Sequence, residues 1–175
     1  ALHRVRLHVL LHDVDALLRR CKSRAIQAEV LKRVAEVFDQ HVPFHNLLGL
    51  DIKRYDIDGV EVVINMKPEL IGNIHQQILH GGVTATVLDV VGGLTAFAGL
   101  VASRDDWTVE ELQQRLQTLG TIDMRVDYLR PGRGQIFTGT GSVIRAGNRV
   151  SVCRMELHNE QGTHIAFGTG TYMVG

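Results

Sequence analysis

The sequence predicts an α+β domain in which an antiparallel sheet curls around one long apolar helix, with a second, amphipathic helix ahead of it. Three observations carry this reading. Residues 70–103 form a run rich in Gly, Ala, Val and Thr that holds Asp89 as its sole charged side chain. Four alternating stretches fill residues 121–174, and two of them contain Gly-Thr-Gly. In residues 16–38 the apolar side chains Leu17, Leu18, Cys21, Ile26, Val30, Val34, Val37 and Phe38 recur mostly three to five apart, the period of a helix with one buried face.

The elements follow in order. His41, Pro43 and Asn46 end the first helix. "LLGLDIKRYDIDGVEVVINM" reads as a hairpin turning at Asp58-Gly59. Residues 67–79 read as a loop, and the apolar run after them is long enough to favour a helix buried on most sides over a strand. In "DDWTVEELQQRLQTLG" Thr108 and Glu111 form a capping box, Trp107 and Leu112 can staple the first turn, and Gly120 can close the far end. "TIDMRVDYL" alternates with Ile122, Met124, Val126 and Tyr128 on one face, and Pro131-Gly132 breaks it. Three more strands, "QIFTGTGSVIR", "RVSVCRMELHN" and "HIAFGTGTYMV", complete the sheet. Glycine inside a strand marks close approach or a strong bend, and a sheet wrapped on a helix needs both.

Composition excludes several function classes. The 175 residues carry 19 basic and 19 acidic side chains and no basic cluster interleaved with aromatics, so nucleic acid is not an expected partner. Two cysteines, Cys21 and Cys153, make neither a disulfide framework nor a zinc site and point to a reducing, cytoplasmic setting. His41 and His45 have zinc spacing, but Pro43 interrupts the helix such a pair requires, so no metal and no cofactor are expected. The N-terminal residues show no signal-peptide core. Residues 83–102 have the length of a membrane span but contain Asp89 and glycines, lack a basic flank on the N-terminal side and lead into amphipathic strands. No membrane is expected.

An ionised carboxylate in apolar surroundings costs several kcal/mol unless it is compensated, so Asp89 is either structural, bonded to Thr86 or to backbone, or has a chemical task. The residues around it bear on this choice. "HGGVTATVLD" resembles the His-Gly-Gly, six residues, acid pattern of the hotdog-fold acyl-CoA thioesterases, in particular those like the phenylacetate-pathway enzyme within the 4-hydroxybenzoyl-CoA thioesterase superfamily. "RVDYLRPGRG" is similar to that family's strand signature. The resemblance covers about residues 44–174. It divides the chain into an N-terminal helical extension, 1–43, and a hotdog domain, 44–175, with a short helical insert at 104–119.

Thioester hydrolysis passes through a tetrahedral oxyanion, which calls for backbone N–H donors and a nearby base or nucleophile. Gly81 and Gly82 at a helix start supply such donors, and His80 orients the turn or the thioester. Asp89 lies about two helical turns beyond and cannot easily reach the same carbonyl. The resemblance implies the solution: hotdog domains pair with their central helices side by side, so that Asp89 of one subunit serves the turn of another, as general base or as nucleophile. A homodimer or a dimer of dimers is therefore implied. The resemblance also implies an Asn or Gln before the turn, for which Asn73 is preferred over Gln76 and Gln77. Gly93 stands where some relatives carry a Ser or Thr one turn after the acid, leaving Thr86 or Thr95 for the water-positioning role.

Arg130, Arg133, Arg145, Asn148 and Arg149 fall at predicted strand ends, where they can meet the phosphates of an acyl-CoA substrate. Gly92, Gly93, Ala96 and Gly99 leave little side-chain volume along the helix, which favours a medium to long fatty acyl group. Two alternatives stand beside hydrolysis: a hotdog hydratase or dehydratase, whose His-Phe-Pro-Gly context is absent here, and a non-catalytic acyl-thioester-binding domain.

Overall fold

The computed structural model describes residues 24–175. Helix α1 runs over Arg24–His41 and buries Val30, Leu31 and Val34 in the common core. The portion of the predicted helix before Arg24 lies outside the described residues. Pro43 both stops α1 and starts a new helix: it occupies the first turn of α2, Pro43–Leu48, where its missing N–H is no loss. Gly49, at φ 77, closes α2 with its N–H on the His45 and Asn46 carbonyls.

Strands β1 (Leu50–Asp56) and β2 (Gly59–Asn65) form the expected hairpin. Its turn residues are Ile57 and Asp58 rather than Asp58 and Gly59, because Asp56 pairs with Gly59 and its carboxylate accepts the Asp58 N–H at 2.8 Å. The expected loop at 67–79 contains a 3-10 turn (Pro68–Leu70) and a two-stranded ribbon, β3 (Ile71–Asn73) with β4 (Ile78–Leu79).

Helix α3, Gly81–Ala102, is the long apolar helix. It is long and apolar enough to cross a membrane, yet most of it is packed inside the domain. Val87, Leu88, Val91 and Leu94 are fully buried, each contributing about 1.5–3 kcal/mol of burial free energy. The sheet receives it through glycines. A Cβ on Gly139 would press on Val87 and Val91, and one on Gly141 would overlap Thr95. The Gly-Thr-Gly stretches thus mark close approach, as read from the sequence.

Helix α4 (Val109–Thr118) starts with the predicted capping box: Thr108 Oγ1 accepts the Glu111 N–H, and the Glu111 carboxylate accepts the Thr108 N–H. Trp107 also anchors to α3, donating to the Leu100 carbonyl at 3.1 Å. Leu119 caps the helix and Gly120 opens the next strand, not the cap. Strands β5 (Gly120–Tyr128), β6 (Ile136–Ala146), β7 (Val150–Asn159) and β8 (His164–Met173) complete an antiparallel sheet of order β1-β2-β6-β7-β8-β5 around α3. Strands β1 and β5 are its edges.

Candidate active site

The two sequence motifs meet at the start of α3. Leu79 N–H donates to the Gly132 carbonyl at 2.9 Å, and a Cβ on Gly132 would press on Leu79, so the Pro131-Gly132 break lets the strand end reach the His-Gly-Gly turn. His80 is the N-cap. Its Nδ1 accepts the Gly82 N–H at 2.8 Å, which in the neutral ring puts the proton on Nε2 and leaves that N–H free to donate. This corrects the expectation that both glycines supply oxyanion donors. The Gly82 N–H is engaged by His80, and among the described residues the Gly81 N–H has no acceptor. Tyr128, at the end of β5, donates to the Gly81 carbonyl at 2.8 Å and so braces the turn. In the sequence alone Tyr128 stands out only as a strand-face residue.

Asp89 lies about 12 Å further along the helix axis. It is half-buried, on the stripe of Gly82, Thr86, Asp89 and Gly93, which share one face and are the less buried side of α3. Its carboxylate accepts a hydrogen bond from Thr121 Oγ1 at 2.8 Å. The two threonines expected from the sequence to position water do not bond this carboxylate. Thr86 Oγ1 donates to the Gly82 carbonyl at 2.9 Å, and Thr95, buried under β6, donates to the Val91 carbonyl at 2.7 Å.

Thr121 was missed because simple alternation puts it on the outer face. A bulge between Thr121 and Asp123 inserts Ile122, reverses the parity, turns Thr121 inward opposite Tyr172 and leaves Ile122 exposed. Tyr172 closes this corner. Its hydroxyl approaches the Asp89 carbonyl at 3.4 Å, and burial, then the neighbouring Asp89 carboxylate, push its titration well above the ordinary tyrosine range. Asp89, Thr121, Gly93 and Tyr172 border a cleft of about 200 Å³ whose other walls include Phe38, His45, Leu116 and Leu119.

The remaining predicted residues divide. Asn73 Oδ1 accepts the His75 and Gln76 N–H groups at 3.0 and 3.1 Å, so its carboxamide holds the 73–77 turn. Gln76 pairs with Arg133 at 2.8 Å, and Gln77 donates to the Ile74 carbonyl. The five phosphate-binding candidates do not form one cluster within a protomer. Arg130 and Arg133 lie at the end of the sheet near the His80 turn, the former donating to the His164 carbonyl at 3.0 Å. Arg145, Asn148 and Arg149 lie at the β6–β7 hairpin, about 30 Å away along β6. The glycine reading is also narrowed: a Cβ on Gly92 would overlap the Tyr172 hydroxyl, one on Gly99 would press on Val143, and Ala96 is fully buried. Only Gly93 of these opens on the cleft.

The sequence pattern of the thioesterase superfamily matches residues 76–166, from the ribbon before His80 to β8. This chain belongs to the thioesterase superfamily. The medium/long-chain acyl-CoA thioesterase YigI of Salmonella typhimurium is 50% identical to this superfamily member over 154 residues, 87% of this chain and 99% of the relative. A crystal structure from Shewanella oneidensis, described as related to the thioesterase superfamily, is 97% identical, with a TM-score of 0.85 over 87% of this chain and 100% of that one. The PaaI protein of the E. coli phenylacetic acid degradation operon shares the fold, with a TM-score of 0.67 at 20% identity over 87% of this chain and 96% of its own. The hotdog architecture expected from the sequence is thus the one this superfamily member has.

Proposed function

We propose that this protein is an acyl-CoA thioesterase that hydrolyses medium- to long-chain fatty acyl-CoA to free acid and CoA, using sites shared across a homodimer. One observation carries the reading. A helix-start turn whose Gly81 N–H has no acceptor among the described residues and a carboxylate hydrogen-bonded to Thr121 occupy one face of α3, about 12 Å apart. That separation is too long for one protomer's pair to act on one carbonyl. Side-by-side α3 helices in opposite directions bring each turn to the partner's Asp89. Support for such pairing comes from β5, a sheet edge with unpaired backbone groups that runs beside the same face.

In this reading the Gly81 N–H, the Nε2–H of His80 and the positive end of α3 polarise the thioester oxygen. The partner's Asp89, held by its Thr121, either takes a proton from water as the water attacks the carbonyl carbon, or attacks that carbon itself to give an acyl anhydride that water then opens. In both routes the C–S bond breaks and CoA leaves as a thiolate, which takes its proton from the protonated Asp89 in the first route and from solvent water in the second. Arg130 and Arg133, close to the turn, are the better placed of the candidates for CoA phosphates, and Asn73 acts by holding the ribbon before His80. The similarity to YigI, named a medium/long-chain acyl-CoA thioesterase, supports the substrate class. A cytoplasmic setting fits the free thiol of Cys153, and the described part of the N-terminal extension, residues 24–43, packs on the hotdog domain through Val30, Leu31 and Val34 of α1. Thiol release from acyl-CoAs of graded chain length, with benzoyl-CoA alongside, tests the proposal. The optimum is expected at medium to long fatty acyl groups, and a preference for acetyl or aromatic substrates would refute it.

A further inference from the structure

We infer that the cleft beside Asp89 is the acyl chamber, and that its depth is set by Phe38 and His45, which lie ahead of the sheet and outside the stretch carrying the family pattern, together with Leu116 and Leu119 around α4. Gly93 is its open position. The inference rests on the thioesterase reading above and assigns that site its determinant of chain length.

Four observations support it. First, the walls suit a hydrocarbon and not the rest of the substrate. Phe38, Val90, Leu116, Leu119 and the Tyr172 ring line the cleft, and no Lys or Arg does among the described residues, so the phosphates of CoA have no counter-charge there. Second, the cleft borders the reacting group, because Asp89 and its partner Thr121 belong to the same lining. Third, neighbouring glycines differ in what lies above them. A Cβ on Gly92 would overlap the Tyr172 hydroxyl, so that glycine serves packing. Above Gly93 the nearest atom to an added Cβ is Tyr172 Cε1 at 4.0 Å. The protein does not fill this space with its own atoms, and a side chain added there enters the cleft. Fourth, the floor is built deliberately. His45 is buried on α2, its Nδ1 hydrogen-bonded to the Phe38 carbonyl at 3.0 Å and its ring 6.0 Å from the Phe38 ring. His45 is thus a positioning residue that pins the end of α1, and with it Phe38, against the chamber. Phe38 and His45 lie outside residues 76–166, which carry the superfamily pattern.

A side chain at Gly93 enters the chamber about 6 Å along the helix from Asp89, so it takes most space from the acyl chains that reach deepest past that turn. A mismatch of one methylene in an apolar pocket changes discrimination by roughly 10–200-fold. The test is the ratio of kcat/KM for palmitoyl-CoA to that for hexanoyl-CoA in the full chain. Gly93→Leu is expected to lower this ratio at least about tenfold, and Phe38→Ala to raise it by deepening the floor. Melting curves confirm that both variants are folded. Active variants with the wild-type ratio in both cases would overturn the chamber assignment while leaving the thioesterase reading intact. If Gly93→Leu is inactive on every chain length, Phe38→Ala decides alone: an unchanged ratio refutes the assignment and a raised one upholds it. A wild-type chain that hydrolyses neither substrate would overturn the thioesterase reading and the chamber with it.

Discussion

Thr121→Val isolates the contact that the β5 bulge creates. Valine keeps the β-branched shape and removes only the hydroxyl that donates to Asp89 at 2.8 Å. A hydrogen bond to a charged group contributes about 1.5–3 kcal/mol. Because Thr121 is exposed and Asp89 half-buried, the lower end of that range applies, and about 1.4 kcal/mol corresponds to a tenfold change in rate. The expected result is a fall in kcat of about tenfold with little change in KM. Stability should move by no more than about 0.5 kcal/mol, as for other exposed substitutions, so Tm shifts by at most about 2 °C in a chain of this size. Thr121→Ser keeps the donor and should recover most of the loss. Steady-state kinetics on a medium-chain acyl-CoA and thermal melts of the three proteins provide the assay. A valine variant with wild-type kcat would show that the hydroxyl does not serve Asp89 in turnover. Equal losses in the serine and valine variants, with a lowered Tm, would assign Thr121 to packing instead.

Two further outcomes follow from the same geometry. Asp89→Asn should abolish nearly all hydrolysis while keeping a melting temperature equal to or above wild type, since the amide oxygen can still accept from Thr121 and a half-buried charge has been removed; a variant that melts well below wild type and still turns over would make Asp89 core architecture. Cys153 is fully buried, and burial pushes its thiol up from 9.0 to about 12. A raised folded value means stability is complete below the unfolded value and is lost as pH climbs from there toward the folded one. Between about pH 9 and 12 the Tm should therefore fall less steeply in Cys153→Val than in wild type, and identical slopes would contradict the assignment.

Much of this architecture was legible because local chemistry and long-range packing agree. The capping box at Thr108 and Glu111 needs only its own four residues. The apolar run announces a buried helix, and the glycines of β6 announce what lies against them. The misreadings have a different origin. Pro43 ends one helix and begins another, and composition does not separate the two uses. The inward turn of Thr121 depends on the extra residue Ile122, which exists only as a mismatch between two paired strands and leaves no trace in the alternation of β5 itself. The basic residues were grouped because they fall in turns, but turns at opposite ends of an eleven-residue strand are far apart. Likewise, four small residues on α3 looked equivalent until Tyr172, Val143 and the sheet filled the space above all but Gly93.

If one catalytic site draws on two chains, mixing two inactive variants restores it. His80→Ala and Asp89→Asn proteins, each inactive alone, are unfolded or dissociated together in equal amounts and reassembled, with exchange verified by mass-tagged chains. Random pairing gives heterodimers in which one of the two sites keeps both an intact turn and an intact acid. Recovery of about a quarter of wild-type activity per chain is expected. Verified heterodimers that remain inactive, or a fully active monomer by light scattering, would contradict it.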